Sequence, residues 1–586
     1  MKDKIINITS RSFTDTFLLK LILVVLIALI GLIDMKDIMT IHIATDEFGY
    51  WTAAADFVGF DWSECASLNT YYSFGYGLVL APLLLLIKNP IDVYKLALIL
   101  NVFFIQLSFL LLCSIFENIS EKISSKKILL ICFSVSCYAS NVFNTKLTLS
   151  ECFLWFLFIA IAWLLKRYLY SNSFRCLIGI IILSGFIFMV HMRTIVVFFA
   201  ICIVLGINYY KRYSPKKGYR AIIGFILILF LLLGIEEYIK GLLIEAQYAN
   251  TNETVLAMND FNGQASKLKS LISINGGISF IVNFLGRIFY LGYSTFLITY
   301  FGFYHCIKKV FDWYKGIYSK WHYFCIFILL SIIFALGISS LYMIYLQDNR
   351  QDILYYGRYN EYLIAPILII GIIELITNQN RKKLLFMFCG IQLILTLLIS
   401  VVIKEYNMTT PLDASIPALY YWLKKNNFHI YSYFSASLII ILIAIFLCFI
   451  VTKLKFESLK VLILIITVSC CWIHLGHNSY AISDTHKHDE AYNDVYEVIR
   501  NNLSETTDCF YCFNESDKEN TYYFMGIDRI QFMLKDEIIY FKNIEFYDDI
   551  PVDSIIVIRT KSDCLNDIVD MPKELLKSDE FIVYQK

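Results

Sequence analysis

Residues 44–55 read ATDEFGYWTAAA and come shortly after the first long apolar run of the chain. Asp46 and Glu47 are adjacent carboxylates, with Tyr50 and Trp51 one helical turn further on. What a paired negative charge can do there depends on whether the stretch stands at a membrane surface. The bulk composition answers that first.

The chain has 586 residues, of which 58% are hydrophobic, 16% aromatic and 17% charged. Its mean hydropathy is +0.62. A soluble globular chain carries about 25% charged residues. The apolar excess recurs in runs near bilayer length, at 17–33, 92–116, 128–144, 152–166, 176–191, 195–209, 221–238, 287–305, 323–345, 362–377, 384–403, 433–452 and 460–476. This predicts a polytopic α-helical membrane protein with about thirteen transmembrane helices. The stretch 73–87 holds Gly75, Gly77 and Pro82 and is too short and broken to span, so it is expected along the interface. No small-x-small cleavage site follows the first run, which reads as an uncleaved helix with its basic end in the cytoplasm. A net charge of +1 without basic–aromatic clusters gives no sign of a nucleic-acid partner.

Loop charge orients the spans. With the N-terminus inside, the connections at 117–127, 167–175, 210–220, 306–322, 378–383 and 453–460 are cytoplasmic, and every one is basic. The first outer loop instead carries Asp34, Asp37, Asp46, Glu47, Asp56, Asp61 and Glu64. An odd number of crossings puts the C-terminus outside. The chain thus divides into a membrane domain, 1–478, and an extracytoplasmic α/β domain, 479–586. In the latter EAYNDVYEVIRNNL has helical spacing, while DSIIVIRT and EFIVYQK read as strands. High Ile, Lys and Asn usage suggests an AT-rich bacterial genome, so the expected location is a bacterial plasma membrane.

Ionisable residues at span ends are costly and point to function. Four places on the outer side hold them. Asp46–Glu47 stands before Tyr50, where an acid also suits a helix N-terminus. Glu151 opens the fourth span, although Thr148 three residues earlier also has capping-box spacing. His191-Met-Arg193 sits in a short turn between two apolar runs, where an arginine either snorkels or faces an anion in a cavity. The last is Arg350 and YYGRYNEYLIAP, with Arg358, Tyr359 and Glu361. Guanidinium donates bidentately to phosphate oxygens. Acids on early loops and arginines on later ones, all on one side, suit group transfer from a phosphorylated donor. A carboxylate takes the acceptor proton while cations hold the leaving phosphate. No second carboxyl is needed as acid, unlike in glycoside hydrolysis.

The pattern resembles the GT-C membrane glycosyltransferases, in particular the protein O-mannosyltransferase and aminoarabinose transferase branch. The matching features are Asp46-Glu47-x-x-Tyr50, the aromatic break TYYSFGYGLVLAP, Leu149-Ser150-Glu151, Met192-Arg193-Thr194 and Gly357-Arg358-Tyr359. The resemblance covers most of the membrane part and none of the tail. It implies transfer of a hexosyl or pentosyl unit, with inversion, from a polyprenyl-phosphate-linked donor. The acceptor would be an extracytoplasmic glycan, lipid or protein. By position Asp46, Glu47 and Glu151 would be the catalytic carboxylates. Arg193, Arg358, Tyr359 and, more weakly, Lys95 would hold the donor phosphate, with Tyr50, Tyr72 and His191 lining the cavity. The chain departs from relatives at Tyr71-Tyr72-Ser73, where a double proline is common.

No compelling metal set stands out, though Asp46, Glu47 and Glu151 could hold a divalent cation, Mg or Mn, through oxygen. His474, His477, His486 and His488 read as structural, and Cys509-Phe-Tyr-Cys512 as a disulfide or ordinary thiols because no second CxxC accompanies it. Two other functions use similar topology. An envelope glycan polymerase or ligase would place its essential arginines on large late loops. A lipid-linked glycan transporter would show internal repeats and broken helices in matching halves.

Overall fold

A bilayer offers the backbone no hydrogen-bond partner, so long apolar runs fold as helices. The computed structural model describes residues 2–117, 119, 123–212, 214–251, 267–344, 350–483, 489–504, 507–514, 521–560, 562 and 573–586. Among these, nine helices are long and apolar enough to cross a membrane, the first Pro90–Phe116 and the last Glu457–Ala481. Ten result if the bent pair Asp352–Glu361 and Ala365–Thr377 counts as one span. Shorter apolar helices are Thr16–Leu32, Gly77–Leu86 and Phe174–Val190. The chain is a multi-span membrane protein, and nine to ten such helices among the described residues do not confirm a count of about thirteen.

Three of the apolar runs do not fold as one straight helix. The run 128–144 is divided into Ser125–Ser136 and Ala139–Asn144. The run 287–305 straddles the junction of Ile274–Ser294 and Ile298–Tyr314, where Phe296 and Leu297 take φ values of 52° and 62°. Tertiary partners make that break tolerable, since Trp472 Nε1 donates to Ser294 O at 2.8 Å. Hydropathy counts apolar residues and cannot register such breaks. The third is a bend of 93° between Asp352–Glu361 and Ala365–Thr377, and Arg358 lies in the short helix before it.

The tail forms a five-stranded sheet in the order β2-β1-β3-β5-β4. Its strands are β1 Cys509–Phe513, β2 Ile539–Asn543, β3 Ile555–Arg559, β4 Lys573–Lys577 and β5 Phe581–Gln585. The first three are parallel, while β5 runs antiparallel to β3 and β4. The anticipated helix and strands fall on Asp489–Asn502, β3 and β5. Cys509 and Cys512 pack in different clusters on opposite faces of β1, as an odd spacing in a strand requires, and neither is in a disulfide. Cys564, His486 and His488 lie outside the described residues.

This sheet domain docks on the end of the bundle that holds Asp46. Phe532 wedges between Trp51, Trp62 and Tyr94, with ring centroids 5.0, 6.5 and 5.8 Å away. Lys535 Nζ donates to the carbonyls of Leu84 and Ile87 at 2.9 and 2.6 Å, and Trp62 Nε1 donates to Lys535 O at 2.8 Å. Asn69 Nδ2 donates to Asp528 Oδ1 at 2.8 Å.

Burial pushes the Asp528 carboxyl up from 3.8 to about 7, against the pull of Asn69 and Arg529. The fold therefore holds a proton that the unfolded chain releases. Its stabilisation is full below pH 3.8, falls as pH rises toward 7, and is flat above. Asp528→Asn keeps the acceptor for Asn69 and removes the titration. Its melting temperature should exceed wild type clearly at pH 8 and much less at pH 5. An equal gap at both values would refute this.

Candidate active site

The site is built on the helix Ala44–Val58, which places both acids in its first turn, where the amide ends of the helix favour negative charge. The two side chains then diverge. Glu47 turns inward and is fully buried. Its Oε1 accepts from the amides of His42 and Ile43 at 2.9 and 2.8 Å. Its Oε2 accepts from Tyr94 OH at 2.6 Å, Thr148 N at 2.6 Å and Thr148 Oγ1 at 2.5 Å. Both oxygens are thus saturated by donors. Glu47 fastens the helix to its neighbours, and the catalytic role assigned to it does not match this geometry. Glu47→Gln sets an amide N–H₂ against some of these donors. It should cost about 1.5–3 kcal/mol, read as a lower melting temperature in detergent.

Asp46 faces the other way and is 23% exposed, the most open of the charged cluster. Its Oδ1 accepts from Tyr72 OH at 2.5 Å. Tyr72 can lie across the helix because residue 49 is glycine, where a Cβ would come within 2.3 Å of the Tyr72 ring. Oδ2 of Asp46 accepts from Arg358 Nη1. Arg358 is the hub, since its Nε also donates to Glu151 Oε1 at 2.6 Å. That same oxygen accepts from Arg193 Nη2 at 2.8 Å. Residues more than three hundred positions apart thus meet in one network of two acids and two arginines, neutral in sum. Neutrality and hydrogen bonding are what make such burial tolerable.

Other side chains frame the network. The Arg193 guanidinium stacks on Tyr359 at 4.4 Å, and the His191 ring stands 6.1 Å from the same tyrosine. His191 Nδ1 accepts from the Arg193 amide at 3.4 Å. Tyr50 hydrogen-bonds Ser150 Oγ at 2.8 Å and packs 5.4 Å from Tyr72. Two charged candidates lie apart. Lys95 Nζ donates to Lys36 O at 3.0 Å, and Arg350 pairs with Asp352 at 3.2 Å. The capping-box alternative for Glu151 also fails. Thr148 is engaged with Glu47 and accepts from Trp51 Nε1 at 2.9 Å, and Ser150, the N-cap residue, caps nothing with its side chain. Glu361, noted only as part of its motif, is anchored by Tyr138 OH and Tyr290 OH at 2.6 and 2.9 Å. Tyr94, Tyr138 and Tyr290 carried no signal in the sequence, because each lies inside an ordinary apolar or polar stretch, and Thr148 carried only its capping-box spacing.

Among the described residues, three polar atoms of the network have no hydrogen-bond partner: Arg193 Nε and Nη1, and Glu151 Oε2. Two open guanidinium donors in a buried setting can receive an anion. A divalent cation fits poorly. Both oxygens of Glu47 and of Asp46 are engaged, and two arginines flank the one open oxygen of Glu151. Among the described residues, no three His, Cys, Asp or Glu side chains form a metal-binding group.

No protein-family model and no curated protein matches the chain. In three dimensions it aligns with ArnT from Cupriavidus metallidurans bound to undecaprenyl phosphate, with a TM-score of 0.54 over 96% of this chain and 97% of that one. The chain has the fold of ArnT. The identity is 9%, so the likeness is one of architecture. The apo form of ArnT aligns with a TM-score of 0.52 at 9% identity over 98% of each chain. The archaeal oligosaccharyltransferase AglB from Archaeoglobus fulgidus, in complex with an inhibitory peptide and a dolichol-phosphate, aligns at 0.38 and 11% identity, over 92% of this chain and 69% of that one.

Proposed function

We propose that this protein is a membrane glycosyltransferase that moves a sugar from a polyprenyl-phosphate-linked donor to an acceptor on the outer side of a bacterial plasma membrane. The observation that carries this reading is the Asp46–Arg358–Glu151–Arg193 network, with its two open guanidinium donors. The ArnT fold, found with undecaprenyl phosphate in one of its structures, supports it.

The donor phosphate enters against Arg193 and draws Arg358 from Asp46 toward itself. Asp46, still held by Tyr72, then accepts the proton of the acceptor hydroxyl. The acceptor oxygen bonds to the anomeric carbon as the bond from that carbon to the phosphate oxygen breaks. The electron pair leaves on the polyprenyl phosphate, which the arginines stabilise. A single displacement inverts the anomeric centre. The polyprenyl chain has a matching surface whose lining begins at Val196, three residues after Arg193, an apolar groove of about 600 Å³ between the helices Ile195–Arg212, Ile274–Ser294 and Lys320–Tyr342. Its walls include Val196, Phe284 and Leu341. Glycan, lipid and protein acceptors all fit this chemistry.

Mass-spectrometric profiles of envelope glycans and glycolipids, compared between a deletion strain and its complemented parent, test the reading. A sugar mass present only with the protein supports transfer and names sugar and acceptor together. Identical profiles, together with no binding of undecaprenyl phosphate by the purified protein, would overturn it.

A further inference from the structure

The geometry points to the C-terminal domain as a working part of the active site, with Asp489 and Arg529 as positioning residues that act on Asp46 through His42 and Glu47. This rests on the transferase reading for what Asp46 does, but not for how the helix is held.

His42 lies four residues before Asp46 and is buried. All four of its polar groups are held, each by a different part of the chain. Asp489 Oδ2, at the start of the first tail helix, lies 3.3 Å from His42 Nε2 and also accepts from Met39 N at 2.8 Å. Tyr480 OH, at the end of the last membrane helix, lies 2.9 Å from His42 Nδ1. Arg529 Nη2, from the tail helix Thr521–Met533, donates to His42 O at 3.0 Å. His42 N donates to Glu47 Oε1 at 2.9 Å. A carboxylate at Nε2 selects the tautomer with its proton there, leaving Nδ1 to accept from Tyr480.

The tail therefore grips the segment entering the site helix at both side chain and backbone. Glu47 hands that grip on, because it ties the His42 and Ile43 amides to Tyr94 and Thr148. Asp46 is the adjacent residue on the same turn. Its carboxylate must be placed within a fraction of an ångström, and a misplacement of about 1 Å costs about a hundredfold in rate. Phe532, seated on Trp51 and Tyr94, fixes the tail against the same helix and prevents the grip from sliding.

The experiment uses the full-length protein with Asp489→Ala, Asp489→Asn and Arg529→Lys. Hydrogen–deuterium exchange is followed in peptides covering residues 39–50 and in β1 and β3. Undecaprenyl phosphate is the binding probe, and sugar-bearing product is measured in the complemented deletion strain. Asp489→Ala should speed exchange at 39–50 with β1 and β3 unchanged. It should lower product about ten- to a hundredfold, while undecaprenyl phosphate binds as to wild type, because Arg193 is untouched. Asp489→Asn keeps an acceptor for Met39 N–H and should restore most of the product.

Unchanged exchange overturns the proposal, and so does faster exchange with product intact. Loss of product together with loss of undecaprenyl phosphate binding also overturns it, since that marks general unfolding. If wild type forms no product, the transferase reading falls, and the exchange result still decides whether the tail holds the helix.

Discussion

Asp46→Asn should lower sugar transfer by about 10²–10⁴-fold, the share general-base catalysis commonly supplies. The asparagine keeps an oxygen for Tyr72 OH and nearly the same volume, but it cannot take the acceptor proton. Arg358 stays tied to Glu151, so the fold loses little. The decisive comparison sets wild type against Asp46→Asn in a deletion strain at matched membrane levels, reading the sugar-bearing product by mass spectrometry. Loss of that mass with a folded, inserted mutant supports Asp46 as the base. If the mutant restores everything wild type does, Asp46 is only an acid at a helix N-terminus.

Arg358→Met should be the more damaging change to the protein itself. Arg358 is 4% exposed and holds Asp46 and Glu151 together. Removing one member of a buried ion-pair network leaves the others uncompensated, at about 3–5 kcal/mol. The melting temperature in detergent should fall sharply, and undecaprenyl phosphate binding should weaken. Arg358→Lys restores the charge but not the planar fork that reaches two carboxylates, so it should recover part of the stability and little transfer. The double change Arg358→Met/Glu151→Gln removes a stranded carboxylate along with the cation. It should melt above Arg358→Met while remaining inactive. If Arg358→Met melts with wild type, the network does not hold this site together.

Each step of the site beyond its residue types came from contacts between distant positions. Asp46, Glu151, Arg193 and Arg358 stood out individually, because a charge at the end of an apolar span is costly and each has a short motif around it. Asp46 and Glu47 are indistinguishable as neighbours in ATDEFGYWTAAA. Only packing shows that Glu47 is saturated by five donors while Asp46 faces Arg358 and solvent. Lys95, by position a weaker phosphate candidate than the arginines, is engaged at Lys36 O. His42, in the unremarkable stretch TIHIAT, carries the contacts that join the tail to the site.

The sequence by itself determined the membrane class, most of the helical runs, the sheet-bearing tail and the acid and arginine motifs that resemble GT-C enzymes. These are local properties, because hydropathy and span-end charge act over a few residues at a time. Tertiary structure alone decided the breaks at Phe296–Leu297 and at Arg358, the division of labour between Asp46 and Glu47, and the seating of the tail on the site helix. Those features exist because hydrogen bonds and ion pairs between remote segments offset a broken helix or a buried charge, and no window along the chain contains both partners.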